Sequence, residues 1–231
     1  MPICSNCGDE KERLGQHFAM SECSYPTFDT ALVDGLLLGD GDIPHVNKNA
    51  QLRVRNTNVE WLTQLSEIIQ ESYGPRIERT AKEVAEMNEQ SGFSNNVDVS
   101  RYNDVYCWQT VGSPNLNKHR ERWWKTGEKS VPEDLTLTPT TVRHWMAGDG
   151  NLNWQGDYLS SVRFGRMDER DDEMLISLFS DAGFSSVSRN GNHISLYGDD
   201  ARNLLDWSSP APKGMEYKWA YESKDEYERL K

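Results

Sequence analysis

Long apolar runs are missing from this 231-residue chain: no aliphatic stretch exceeds three residues, as at Leu36-Leu37-Leu38. A membrane span needs roughly 20 apolar residues in a row, so no membrane partner is expected. The opening residues, Met1-Pro2-Ile3-Cys4, lack the charged-then-apolar pattern of a secretory leader. The expectation is a soluble, cytoplasmic protein. Cysteine is scarce outside one place. Three of the four fall within the first 23 residues, which excludes a disulfide framework spread along the chain. Basic charge is also short, with 25 Lys and Arg against 37 Asp and Glu, for a net charge of −12. The global basic footprint of a phosphate binder is therefore absent. Mean hydropathy is low, at −0.78, but eight Trp, nine Tyr and six Phe can fill a core and argue against wholesale disorder. The length fits one or two compact units.

The charge is uneven. Residues 44–130 hold 12 basic and 11 acidic side chains, a net of +1, which leaves −13 for the remainder. Arginine outnumbers lysine 15 to 10. An acidic, lysine-poor surface suits a salt-rich cytoplasm, where self-repulsion is screened. A salt-adapted, archaeal or viral source is expected, and net charge weighs little against a DNA partner if the basic residues share a face.

The clustered cysteines read Cys4-x2-Cys7-x9-His17-x5-Cys23. A CxxC turn presents two thiolates to one ion, and a third Cys and a His complete a tetrahedral Zn²⁺ site. Gly8 follows the second Cys, where the turn requires positive φ. Metal binding can replace the core that some 25 residues lack. Free thiols or a disulfide are the alternatives, the latter disfavoured in a reducing cytoplasm. Cys107, in Val105-Tyr106-Cys107-Trp108, reads as a small buried hydrophobe.

Two helices end alike. Asp29 or Thr30 can cap a helix running to Gly39, with Leu32, Gly35, Leu36 and Gly39 at i, i+3, i+4 and i+7. Gly in a helix interior costs about 1 kcal/mol relative to Ala, so Gly35 and Gly39 imply close approach of another helix. Gly39-Asp40-Gly41 then closes the helix. Later, Thr138 and Pro139 open a second helix that ends Gly148-Asp149-Gly150. A hairpin reading follows each (43–56 and 151–166), then an amphipathic helix (58–71 and 171–183). Further strands (105–111; 186–189 and 193–197) and helices (114–125 and 199–207) complete the units. Residues 74–104 read as a polar insertion of uncertain order. The chain is thus a mixed α/β (α+β) protein. A zinc-binding segment at 1–27 precedes two αββαββα repeats at 28–135 and 136–231.

Val33–Gly41 and Val142–Gly150 resemble the paired motifs of LAGLIDADG homing endonucleases, the first as GLLLGDG, the second as Trp145 followed by Asp149-Gly150. The approach 131–139 and the tail 210–218 share that look. The resemblance implies a pseudo-twofold pair of antiparallel sheets forming a DNA-binding saddle. It also implies a monomer that cuts both strands of a double-stranded DNA target, one scissile phosphate per Asp. Lys218 is implied as a positive charge near the metals. Leu38 and Gly148 stand where the family motifs often carry Asp.

Asp40 and Asp149 at adjacent helix ends would repel each other and the helix dipoles. Mg²⁺ or Mn²⁺, held by those carboxylates, resolves the conflict and can activate a phosphate and a water. A lone Gly-Asp-Gly reads better as a helix C-cap and turn; two at equivalent positions point to an active site. Asp42 reads as a solvated turn residue. Gln51, Arg53 and Arg55 alternate with Leu52 and Val54, and Arg163 alternates with Val162 and Phe164. These are candidate DNA-reading side chains, or a wet sheet face. Lys118, His119, Arg120 and Arg122 beside Trp123-Trp124 grip phosphate or form a solvated helix face. The expected activity is site-specific DNA hydrolysis. The alternatives are a non-cleaving regulator, a maturase acting on intron RNA, or an unrelated zinc-bearing interaction protein.

Overall fold

The computed structural model describes residues 1–44, 48–92, 98–165 and 168–231, with the backbone alone at 169. Helix α1 (Leu14–Met20) lies in the Cys/His segment. The first repeat then runs α2 (Thr30–Leu38), β1 (Gly41–Asp42), β2 (Arg53–Asn56), α3 (Val59–Ile68), β3 (Ser72–Arg79), α4 (Ala81–Gln90), β4 (Val105–Thr110) and α5 (Pro114–Trp123). The second runs α6 (Pro139–Asp149), β5 (Gly150–Gln155), β6 (Tyr158–Gly165), α7 (Asp172–Asp181), β7 (Val187–Asn190), β8 (His193–Tyr197) and α8 (Gly198–Trp207), with α9 (Lys224–Leu230) in the tail. The sheets have the same order, β1-β2-β4-β3 and β5-β6-β8-β7, and every neighbouring pair is antiparallel. Among the described residues no helix is long and apolar enough to cross a membrane.

Local chemistry fixes where the two long-named helices begin. The Asp29 carboxylate accepts from Ala31 N at 2.8 Å and caps α2. Thr138 caps α6 through Thr141 N, with Pro139 in the first turn, where its missing N–H leaves no bond unmade. Alternation then sorts each sheet into two faces. Leu52, Val54 and Trp108 point into the core of the first repeat; Val162, Phe164, Ile194 and Leu196 do so in the second. One continuous core spans both repeats. In the second, Trp145 of α6 packs at 4.2 Å on Phe164. Arg53, Arg55, Cys107 and Gln109 share the open face of the first sheet, opposite Val54 and Trp108. Arg163 and Ser195 share that of the second.

Two readings change, and a third, the burial of Cys107, holds in a different setting. Residues 74–104 are not merely an insertion: β3 forms the sheet's edge, and α4 carries a full capping box between Thr80 and Glu83. The edge strand escaped notice because Gly74 and Pro75 interrupt it and register shifts break its alternation. Cys107 is buried, but beneath the open-face arginines, outside both hydrophobic clusters. The helix read as 58–71 stops at Ile68, since Ile69 turns to extended geometry.

The Cys/His segment shares a small core with the sheet's outer end, where Cys4, Leu14 and Phe18 pack with Val111 and Tyr73. Ile3 N donates to Gln70 O at 3.1 Å and Ser5 N to Glu71 Oε1 at 2.9 Å. Gly8 takes φ 76° in the turn after Cys7, as its position requires.

Helices α2 and α6 meet backbone to backbone. A Cβ on Gly35 would overlap the Thr141 carbonyl oxygen and lie 3.0 Å from His144 Cβ; one on Gly39 would lie 3.3 Å from Gly148 Cα. At an open helical site Gly→Ala gains about 1 kcal/mol. Here Gly35→Ala is expected to destabilise by about 1–3 kcal/mol through overpacking. Urea denaturation measures the sign, and a more stable variant would refute the contact.

Candidate active site

The glycine-mediated contact decides where the carboxylates go. Gly148 Cα sits so near the first motif that an added Cβ would come within 2.9 Å of Asp40 N and 3.1 Å of Gly39 Cα. Asp40 and Asp149, one position beyond Gly39 and Gly148, therefore emerge side by side at the two helix ends. The close approach also explains Gly148 itself: an Asp side chain has no room there. Leu38 is buried in the core, so the other departure from the motif is an apolar core position.

Asp40 is held by Asn56, whose Nδ2 donates to Oδ2 at 2.6 Å. The orientation of that amide is fixed, because its oxygen accepts from Asn58 N at 2.7 Å. Asn58 caps α3 and also donates to Gly214 O, tying the first repeat to the tail. Asp149 keeps an exposed edge and lies against Gly165, where a Cβ would be 3.6 Å away. Burial among the helix ends pushes the Asp40 carboxyl upward, opposed by Asn56 and by Lys218 and Lys129. Burial and then the Asp40 charge raise Asp149 to about 6.

Two lysines answer this negative charge. Lys218 Nζ donates to the carbonyls of Met146 (3.1 Å), Ala147 (2.7 Å) and Gly148 (2.9 Å). All three protons are committed to the end of α6, so its charge reaches the aspartates through space. Burial lowers its pKa to about 8, against the pull of Asp40 and Asp149. Lys129 Nζ donates to Gly41 O at 2.9 Å, and burial lowers its pKa while Asp149, Asp42 and Asp40 oppose the fall. Sequence reasoning named Lys218 and missed Lys129. The signal was the repeat itself, since Lys129 follows α5 in the first repeat as Lys218 follows α8 in the second, although it donates to the start of β1 and not to the end of the motif helix.

The open faces adjoin this centre. Arg53 pairs with Asp42, and Arg55 bridges Asp42 and Glu78. Gln51 is half-buried just before β2. Arg163 occupies in β6 the register that Arg53 occupies in β2. The Lys118–Arg122 cluster divides. Arg122 binds the buried Asp34 at 2.6 Å and Asp134 at 2.6 Å, a structural clasp rather than a phosphate grip. Arg120 donates to Ile43 O and stacks over Trp124 at 5.2 Å.

Residues 30–198 match the LAGLIDADG DNA endonuclease family. The chain belongs to that family. Over 131 residues it is 28% identical to an uncharacterized protein of Methanocaldococcus jannaschii, covering 53% of this chain and 43% of that relative, so less than half of the relative's length is spanned. The solved structure of the homing endonuclease I-WcaI bound to its DNA recognition sequence superposes with a TM-score of 0.68. It covers 94% of this chain and 96% of that one at 15% identity, which establishes the shared fold. The matched span includes both Asp40 and Asp149.

A second constellation lies at the opposite end of the first sheet. The ligand atoms of Cys4, Cys7, His17 and Cys23 all lie within 4.8 Å of one another, and Cys7 Sγ is 3.5 Å from His17 Nε2. Bonds of about 2.0–2.3 Å to a shared tetrahedral ion fit that spacing, and none of the four cysteines is in a disulfide. Burial raises the Cys4 thiol, but backbone N–H groups of Cys7 and Asn6 outweigh it and bring the pKa to about 7. A thiolate is thus favoured where a metal would need one.

Asp149 binds its proton more tightly folded than unfolded, so its ionisation costs stability as pH rises through about 6. Asp149→Asn should therefore raise Tm over wild type at pH 7.5 without added divalent metal. The difference should vanish toward pH ~4, where both side chains are neutral. A gain independent of pH would contradict the assigned repulsion.

Proposed function

We propose that this protein is a site-specific double-stranded DNA endonuclease of the homing type, acting as a monomer whose halves, 28–135 and 136–231, each engage part of one target. The observation that carries the reading is the convergence of Asp40 and Asp149 with Lys129 and Lys218 at the glycine-packed helix ends. A pure binder has no need of two repelling carboxylates there. The family membership and the DNA complex of I-WcaI support double-stranded DNA as the partner.

The donor set is hard oxygen, and two carboxylates in mutual repulsion suit Mg²⁺ or Mn²⁺. Asp40 and Asp149 would hold the metal, which when bound supplies Lewis-acid polarisation of a phosphate and a more acidic water. The chain's own residues do the rest. Asn56 fixes the Asp40 carboxylate. Lys218 pins the end of α6, so Asp149 keeps its place as DNA docks. Both lysines offset the field of two carboxylates that would otherwise repel phosphate. Gln51, Arg53, Arg55 and Arg163 read or grip the duplex, giving an acidic protein the local basic surface it needs. Residues 1–27 form a structural Zn²⁺ site of Cys4, Cys7, His17 and Cys23, which takes no part in hydrolysis and braces the outer end of the first sheet.

The test is cleavage of the host locus joined as if the gene were absent, with Mg²⁺ or Mn²⁺. Wild type should make a double-strand break. Asp40→Asn and Asp149→Asn should lose cleavage by orders of magnitude yet retain binding, and Ca²⁺ should permit binding without cutting. Full cleavage by either variant would falsify the assignment. Tight binding by wild type with no cutting under either metal would favour the regulator or maturase instead.

Elemental analysis of protein purified under reducing conditions should find about one zinc per chain. Cys4→Ser or Cys23→Ser should release it and weaken DNA binding or solubility. A metal-free wild type would end the zinc assignment.

A further inference from the structure

Asp42 and Arg53 stand directly opposite each other in the β1–β2 ladder, and their side chains form an ion pair. Arg55, two residues along the same face, reaches Asp42 Oδ2 through Nη1 at 3.5 Å and Glu78 Oε2 through Nε at 2.5 Å. The four side chains are 25–34% exposed, enough to meet a ligand on the open face. Glu78 is held below the usual carboxylate range by Arg55. Arg53 Nε is shielded and has no protein partner among the described residues.

The second repeat supplies an internal comparison. Gly150 pairs with Phe164 as Gly41 pairs with Val54, so Asn151 opposite Arg163 is the counterpart of Asp42 opposite Arg53. The fold builds this ladder position with a neutral amide in one half and a carboxylate in the other. Ion pairs at a sheet surface contribute little to stability, and the second sheet fills the equivalent place with Asn151, so a structural need does not account for the acid. Its chemistry does. A carboxylate beside an arginine fixes the long side chain before any ligand arrives. It also repels phosphate, which leaves the neutral acceptor edge of a base as the favoured partner. Guanine O6 and N7 are the acceptors that match a guanidinium.

We propose that Asp42 and Glu78 are positioning residues for sequence recognition, presetting Arg53 and Arg55 as a guanine-reading pair, while Arg163 beside Asn151 reads less selectively. The idea rests on the DNA reading given above. Two residues of strand span roughly 6.6 Å and one base step about 3.4 Å, so the two guanines lie about two steps apart.

The experiment selects binding sites from a randomised duplex library with the full chain in Ca²⁺. The bases facing Arg53 are identified by their loss in Arg53→Ala. Wild type should select guanine at two positions there. In Asp42→Asn and Glu78→Gln, the preference for those guanines should fall by about tenfold. Affinity for random DNA should rise, and the log–log salt slope should steepen by about 0.9 for each arginine turned to phosphate. Asn151→Asp should sharpen selection opposite Arg163. Unchanged selection and slope in the two neutralised variants overturn the proposal. So does lost selection accompanied by weaker random binding and a lower Tm, which would make the acids structural. If wild type selects no site at all, the DNA reading itself fails, and this inference fails with it.

Discussion

Two helix backbones touch at Gly35, Gly39 and Gly148, and the meeting of Asp40 with Asp149 follows from that contact. Side chains between α2 and α6 would separate the helices by the usual 8–10 Å or more. Here their carbonyl and Cα atoms meet directly, and two chain segments a hundred residues apart end at one point. The glycines sacrifice helix propensity to permit it. The sheets, each following its helix after a Gly-Asp-Gly, are thereby set about a common centre with like strand order.

That geometry creates an electrostatic debt which the same structure partly offsets. Two carboxylates at two negative helix ends are each shifted toward the neutral form. Lys218 satisfies the open carbonyls of α6, and Lys129 donates at the start of β1. The compensation is incomplete: burial first and the Asp40 charge second still hold the Asp149 carboxyl above its ordinary range.

Charge elsewhere follows function by location rather than by sum. A net charge of −12 says little about a partner when arginines are gathered on one sheet face. Even there they are matched with acids: Asp42 and Glu78 on the open face, Asp34 and Asp134 at the clasp of α5. The first group meets solvent and is available to a ligand. The second is spent holding the inter-repeat segment against the motif helix. The Cys/His segment adds a small core of its own to the far end of the sheet, where β3 and β4 would otherwise end uncovered.

The sequence by itself determined the tandem order of elements, the paired motif helices with a cap at Asp29 or Thr30 and another at Thr138, the Cys4-Cys7-His17-Cys23 set and the alternation that places Arg53 and Arg55 on one face. Each of these is a local pattern, readable from spacing because helix period, strand period and ligand count are properties of short segments. Strand β3 was illegible because Gly74, Pro75 and the register shifts erase its alternation; its partner β4, not its own composition, makes it a strand. The side of the sheet on which Cys107 lies, the diversion of Arg122 to Asp34, and the role of Lys129 were decided only by tertiary structure. In each case the deciding partner is distant in sequence: burial under arginines from β2 and β3, an acid 88 positions away, the Gly41 carbonyl at the start of β1. Spacing cannot encode such meetings, because they depend on how finished elements pack.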